Sequence, residues 1–122
     1  MADAFFGEPI FSYSRKQAIE DGVLVDLSQF KEVSELWKHH MACTDTVWAI
    51  VQGAVRDDGK DLAGILWDVS NMAMVAARLQ DAKTDIVRFS VMIGRKLHPL
   101  KLHVGPGDRC EPVLTLMLPH ED

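Results

Sequence analysis

The spacing of apolar residues in the middle of the chain predicts two amphipathic helices. After Thr46, apolar side chains recur three and four residues apart, at Val47, Ile50, Val51, Ala54 and Val55. Gly59 then marks the end of this first helix. The same period continues through a longer run, from Leu62 to Leu79. Because an apolar stripe must be covered by another element, we expect the longer helix at the centre of the fold.

The C-terminal third of the chain has the pattern of strands. Beyond Asp85 the apolar period falls from about 3.6 residues to about 2. Three alternating runs follow, over residues 87–93, 100–104 and 114–118. Between the last two, the segment from Gly105 to Asp108 offers proline and glycine where a type II turn needs them. We therefore predict a three-stranded antiparallel meander with the Leu62–Leu79 helix on its apolar face.

The N-terminal part carries weaker signals. Ser14 followed by Gln17 fits a capping box, and Gly22 fits the left-handed position that ends a short helix. The apolar run 23–25 is too short to assign, and whether it joins the sheet stays open. A further helical turn is expected between Ser28 and Trp37. The predicted fold class is α+β, with N-terminal helices packed on a C-terminal three-stranded antiparallel sheet, as a single domain spanning residues 1–122.

Composition and charge limit the function classes. The chain of 122 residues is 48% hydrophobic and 25% charged, which is ordinary for one globular domain. Its net charge of -5 lacks the basic footprint of nucleic-acid binding, so direct nucleic-acid binding is not expected. Residues 1–9 lack the features of a signal peptide, and the apolar run 62–77 contains Asp68 and Asn71. We therefore expect a cytoplasmic protein without a membrane partner.

One cluster of potential metal ligands is present, at His39, His40 and Cys43, to which strand residues His98 and His103 can add. This supports an alternative function, a small metal-binding protein or enzyme. Against it, the ligands do not follow a zinc-finger spacing, and neighbouring helical histidines point about 100° apart. We therefore assign no metal ligand, and we expect no cofactor.

No catalytic constellation is recognisable either. Cys43 and Cys110 are expected as reduced thiols, and neither lies in a local nucleophile signature. The carboxylate pairs are sequence neighbours, which do not face one another on a helix. The Gly105–Asp108 loop contains proline and joins two strands, so a hairpin is favoured over a phosphate-binding loop. We assign no catalytic residue.

A partner surface is the remaining candidate site. Trp67 and Met74 lie roughly opposite the main apolar stripe of the long helix, so that helix is apolar on two sides. Either it is sandwiched between the sheet and the 47–55 helix, or the two residues meet a protein partner or a second copy of the chain. Three acids near the start of the helix, Asp57, Asp58 and Asp61, complete the candidate partner surface.

Three motifs carry a resemblance to a known family: YSRKQAIEDGVLVDLS, LAGILWDV and VGPGDRCEPVLTLMLPHED. Through them the chain resembles a family of small bacterial proteins, a domain of unknown function associated with plasmids and other mobile elements. The resemblance implies an accessory protein of a mobile element but carries over no site residue or cofactor. The predicted function is a non-catalytic interaction protein that inhibits a host protein. Imitation of nucleic-acid charge by its acidic surface is one route to such inhibition.

Overall fold

The structure, a computed structural model, describes residues 13–80 and 84–121. Four α-helices lie within these ranges: α1 (Arg15–Glu20), α2 (Lys31–Ser34), α3 (Asp45–Asp57) and α4 (Leu62–Leu79). The strands are β1 (Leu24–Asp26), β2 (His40–Thr44), β3 (Ile86–Ile93), β4 (Lys96–Pro106) and β5 (Pro112–Met117). The segment 1–9, in which we expect no signal peptide, lies outside the described residues.

The five strands form one mixed sheet in the order β1-β2-β5-β4-β3. Three neighbouring pairs are antiparallel, whereas β2 and β5 are parallel. The fold is α+β, but the predicted three-stranded antiparallel meander is wrong. The three predicted strands are present as β3, β4 and β5, and β1 and β2 extend the sheet beyond β5.

There is a physical reason why the sequence predicts neither β2 nor, with certainty, β1. β2 is buried on both faces at Met41, Ala42 and Cys43, so it lacks the alternation of apolar and polar residues that marks a half-exposed strand. β1 has three residues, too few to show a period. The parallel pairing of β2 with β5 depends on the long crossover between them, which no local pattern records.

The core lies between one face of the sheet and helices α3 and α4. Alternate residues of β3, β4 and β5 point to this side, including Val91, Leu100 and Leu116. They meet the apolar stripes of α3 and α4, formed by Val47, Val51, Ala54, Ile65, Leu66, Val69 and Ala73. The opposite face of the sheet receives α1, whose Arg15 reaches Thr115 on β5. The sheet is therefore contacted by helices on both faces.

The predicted signals at the two ends of α1 are confirmed. The Ser14 side chain accepts a hydrogen bond from Gln17 N, and the Gln17 side chain accepts one from Ser14 N, so the predicted capping box begins α1. Gly22 ends this turn at a φ of 79°. The Thr44 side chain caps α3 by accepting from Val47 N. These contacts lie within a few residues, and local sequence predicts them well.

The hairpin between β4 and β5 differs from its prediction. β4 extends through Pro106, and the turn lies at Gly107–Cys110, where Cys110 N donates to Gly107 O at 3.0 Å. Cys110 adopts a φ of 62°, in the left-handed region that favours glycine. The left-handed residue of this turn is therefore Cys110 and not the predicted Gly107.

Helix α4 is long and apolar enough to span a membrane by length and composition, contrary to our sequence-based expectation. In the structure it buries five residues, Ile65, Leu66, Val69, Ser70 and Ala73. The core helix of a globular domain passes the same test, so this feature is weak evidence for a membrane span.

Candidate interaction site

Large apolar side chains are exposed along one side of α4 and beside β3. Trp67 of α4 exposes 57% of its surface, and Met92 of β3 exposes 51%. Met72 and Leu97 are exposed as well. These four residues line one groove of ≈ 310 Å³, which is completed by Asp68, Asn71, Ser90 and Val91. We call it the edge groove. Contiguous apolar surface of this kind is typical of interaction sites.

The edge groove arises because α4 buries mainly one face. Each residue turns a helix by about 100°, so Trp67 points away from the side on which Leu66 and Val69 are buried. The predicted sandwich of α4 between the sheet and α3 is replaced by a different arrangement. The short helix α2 packs on α4 more closely than α3 does, and Trp37 Nε1 donates to Ser70 O at 3.2 Å. Neither contact covers Trp67.

The other wall of the edge groove is the free edge of the sheet. β3 is a terminal strand of the sheet and pairs with β4. Just before β3 begins, Val104 N of β4 donates to Asp85 O at 2.8 Å, so Asp85 is a hydrogen-bonded position of this ladder. Because hydrogen-bonded pairs alternate along an antiparallel ladder, Val87, Phe89 and Val91 direct their backbone groups toward β4. The backbone groups of Arg88, Ser90 and Met92 therefore point outward, away from the sheet.

Part of this edge is already occupied by side chains. The Thr84 hydroxyl bonds both backbone groups of Ile86, and Gln80 Nε2 donates to Arg88 O at 2.8 Å. Within residues 13–80 and 84–121, the outward N–H and C=O of Ser90 and Met92 have no hydrogen-bond partner. The open stretch of the edge is therefore the one that lines the groove.

Charges around the edge groove are mostly negative. Asp68 lies in its wall, and an adjoining pocket that shares Asp68 and Met92 contains Asp61 and Lys60. A second adjoining pocket shares Trp67 and Asn71 and contains Lys31, Glu32 and Glu35. Among the described residues, neither Asp61 nor Asp68 forms a salt bridge. Both carboxylates are exposed and available to a cationic group.

The structure brings some of the sequence-predicted partner residues together and separates others. Trp67 and Asp61 line the edge groove and its neighbouring pocket. Asp57 is exposed and bonds Arg56, which lowers the pKa of its carboxyl, but it lines neither. Asp58 lies 3.9 Å from Arg95 Nε, at the β3–β4 turn. Met74 is half-buried and is absent from the groove lining.

Sequence reasoning missed most of the groove. Met92 occupies an outward position of the predicted first strand, and a single apolar residue among Arg88 and Ser90 gives little signal. Leu97 follows the Gly94–Arg95 turn and projects from the same face of the sheet as its neighbour Met92. Apolar side chains at solvent-facing strand positions, here Met92 and Leu97, are the sequence signal that indicates such a groove.

A separate polar cluster joins α1 to the sheet. His40 Nε2 donates to Asp26 Oδ1 at 2.9 Å, and His40 Nδ1 accepts from Arg15 Nε at 3.3 Å. Arg15 also donates to Thr115 Oγ1 at 2.8 Å and to Leu114 O at 2.7 Å. Burial lowers the pKa of Arg15, opposed by nearby carboxylates. Both nitrogens of His40 are engaged, so the cluster positions α1 and leaves no free base.

The residues of the alternative metal site, to which the sequence analysis assigns no metal, are not brought together. His40 and Cys43 lie three residues apart on β2, so their side chains point to opposite faces of the sheet. His103 projects on the face opposite Leu102, whereas Cys43 is in the core. Among the described residues, no group of three or more histidine, cysteine or acidic side chains has the arrangement of a metal site.

The two cysteines differ in exposure and chemistry. Cys43 is buried, and burial, followed by Asp45 and Glu121, raises the pKa of its thiol to about 12. It is therefore protonated at neutral pH and is a poor nucleophile. Cys110 is exposed in the β4–β5 turn, and neither cysteine is in a disulfide.

The chain was also compared with known proteins. Searches against protein-family models, curated proteins and solved structures found no match in any of the three.

Proposed function

We propose that this chain is a cytoplasmic, non-catalytic interaction protein, an accessory protein of a mobile element that binds and inhibits a host protein. The observation that carries the proposal is the edge groove, where four large apolar side chains are exposed around one concavity. Exposed tryptophan and methionine are enriched at the centres of protein interfaces. The mobile-element context comes from the sequence resemblance.

The chemistry of the other sites supports a binding role. The imidazole of His40 is held between Asp26 and Arg15, and the thiol of Cys43 is buried and protonated. The edge groove itself is lined by one carboxylate, one amide and one hydroxyl among apolar side chains. Such a lining is suited to contact with another polypeptide.

The proposal is tested with Trp67→Ala and the matched control Val55→Ala, which truncates an exposed apolar residue of α3 outside the groove. Tagged full-length protein is incubated with nuclease-treated lysate of a bacterial host, and captured proteins are identified by mass spectrometry. A candidate is then purified and titrated into each variant by calorimetry. We expect a host protein to bind wild type and Val55→Ala equally, and Trp67→Ala at least tenfold more weakly.

Equal binding to all three proteins would refute the groove as the partner site. Absence of any reconstituted complex would refute the interaction function itself. Circular dichroism and thermal unfolding of each variant show whether a loss of binding reflects a loss of folding.

A further inference from the structure

We propose that the edge groove takes a short extended segment of the partner, apolar and carrying a lysine or arginine, which pairs with β3 as a sixth strand. This inference rests on the proposed function and deepens it by naming the chemistry of the segment. It depends on two features of the groove, its open backbone groups and its negative charge.

The open backbone groups select an extended polypeptide. Ser90 and Met92 present two N–H donors and two C=O acceptors outward, without partners in the described part of the chain. A strand laid beside them supplies the complementary groups at the same spacing, and this is the basis of strand addition to a sheet edge. A helix cannot do so, because its backbone groups bond within the helix.

The limits of the open stretch set the length of the segment. Toward the start of β3, the backbone carbonyl of Ile86 already accepts a hydrogen bond from Thr84, and that of Arg88 accepts one from Gln80. Toward its end, the chain turns at Gly94. Ser90 and Met92 span three positions of β3, so they pair with about three residues of an added strand. With one further residue on each side, a segment of about five residues fills the groove.

Side chains of the added strand meet apolar surface on both sides. Successive side chains of a strand point to opposite faces. One set faces α4, where Trp67 and Met72 are exposed, and the other lies beside Met92 and Leu97. Apolar residues at successive positions of the segment are thus accommodated, which distinguishes it from a solvent-exposed edge strand.

The negative charge of the groove favours a lysine or arginine in the docked segment. It also disfavours a second copy of the chain as the occupant. Asp68 in the groove wall and Asp61 beside it have no salt-bridge partner among the described residues. A lysine or arginine of the segment pairs with them. A second copy paired through the same edge brings its own Asp61 and Asp68 to the interface, and each copy carries a net charge of -5.

The probe is a phage-displayed library of random heptapeptides, selected on the full-length protein and followed by fluorescence titration of synthesised peptides. We expect selected sequences to combine apolar residues with lysine or arginine. Asp68→Lys is expected to weaken their binding at least tenfold, whereas Asp57→Lys, a control acid outside the groove, leaves it unchanged. Failure to select any peptide, or selection of acidic ones, overturns the inference.

Backbone pairing is tested from both sides of the contact. Ser90→Pro removes an outward N–H without removing a β4 bond, and we expect at least a tenfold loss of binding. Should this variant not fold, single N-methylation along the peptide gives the same information on wild-type protein. Loss of binding at every second amide supports strand addition, and a uniform or absent effect contradicts it.

Two outcomes separate this inference from the proposed function. If a host protein binds in a Trp67-dependent manner but is insensitive to Ser90→Pro and Asp68→Lys, the interaction function stands and the extended basic segment is wrong. If sedimentation equilibrium shows a dimer that Ser90→Pro dissociates, the occupant of the edge is a second copy, and the inference is likewise overturned.

Discussion

Gly94 illustrates how a single residue links two elements. It opens the β3–β4 turn at a φ of 69°, in the left-handed region. An added Cβ lies 3.0 Å from the Ala54 side chain and overlaps the carboxylate of Asp58. The backbone angle therefore favours glycine at this position, and a larger residue must also displace the Asp58 side chain.

We expect Gly94→Ala to destabilise the protein by about 2–3 kcal/mol, from the positive φ, the approach to Ala54 and the displacement of the Asp58 carboxylate together. Gly22→Ala is the matched control, because Gly22 has a similar φ of 79° but no atom within 4 Å of an added Cβ. It is expected to cost about 1 kcal/mol. Urea unfolding measures both, and equal losses would show that the contact with Asp58 is unimportant.

The buried thiol of Cys43 makes the stability of the folded protein depend on pH in the alkaline range. Its folded pKa of about 12 exceeds the usual value of 9.0, so the folded state keeps a proton that the unfolded state loses between these values. Stability therefore falls as pH rises across this range, by up to about 1.4 kcal/mol per pH unit. At lower pH both states hold the proton, and the effect vanishes.

We expect a thiol reagent at pH 8 to label one cysteine rapidly in the native protein, the exposed Cys110, and the second only after unfolding. Wild type is expected to lose more stability than Cys43→Ala between pH 9 and pH 11, measured by urea unfolding. Rapid labelling of both thiols in native protein would contradict the burial of Cys43.

At the scale of elements, α1 is held by one side chain that crosses to the sheet. Arg15 bonds Thr115 and Leu114 of β5 and His40 of β2, strands that are paired in parallel. Asp108 of the β4–β5 turn accepts bonds from Arg15 N and Lys16 N, which lowers the pKa of its carboxyl. A short helix is thereby fixed against two strands and the β4–β5 turn.

We expect Arg15→Ala to destabilise the protein by about 3 kcal/mol, because several partly buried partners lose a charged donor at once. Arg15→Lys keeps the charge but lacks the planar fork, and is expected to recover less than half of the loss. The control Arg56→Ala breaks an exposed pair with Asp57, which solvent screens, and is expected to leave stability unchanged. Equal effects of the two alanine substitutions would contradict this account.

In the whole molecule, α4 combines the composition of a membrane-spanning helix with the burial of a core helix. Its apolar composition suits a bilayer, yet five of its residues are buried in the fold and its neighbours are β3 and α2. Insertion in a membrane would separate α4 from β3 and expose the apolar face of the sheet. Packing within the domain is therefore the arrangement consistent with the sheet.

We expect the full-length protein to partition into the aqueous phase in a Triton X-114 separation, because the helix is committed to the core. The same sample is examined by circular dichroism to establish that it is folded. Recovery of folded protein in the detergent phase would contradict the core position of α4.

Elements whose signals are local can be predicted without knowledge of the fold. The periods of α3, α4 and β3 are readable because each element buries one face and exposes the other. β5 is buried on both faces, and its period is readable because Thr115 separates Leu114 from Leu116. The cap at Ser14 was readable because its partner lies three residues away. Trp67 was also identified from its place on the helical wheel.

The remaining features depend on contacts between segments that are distant in the chain. β2 is covered on both faces and β1 is short, so neither shows a period, and their places depend on pairing across most of the chain. The edge groove has the same origin, since Trp67 and Met92 lie on different elements and meet only when α4 packs beside the last strand. Contacts between distant segments depend on how the whole chain buries its apolar surface, and a local pattern does not contain that information.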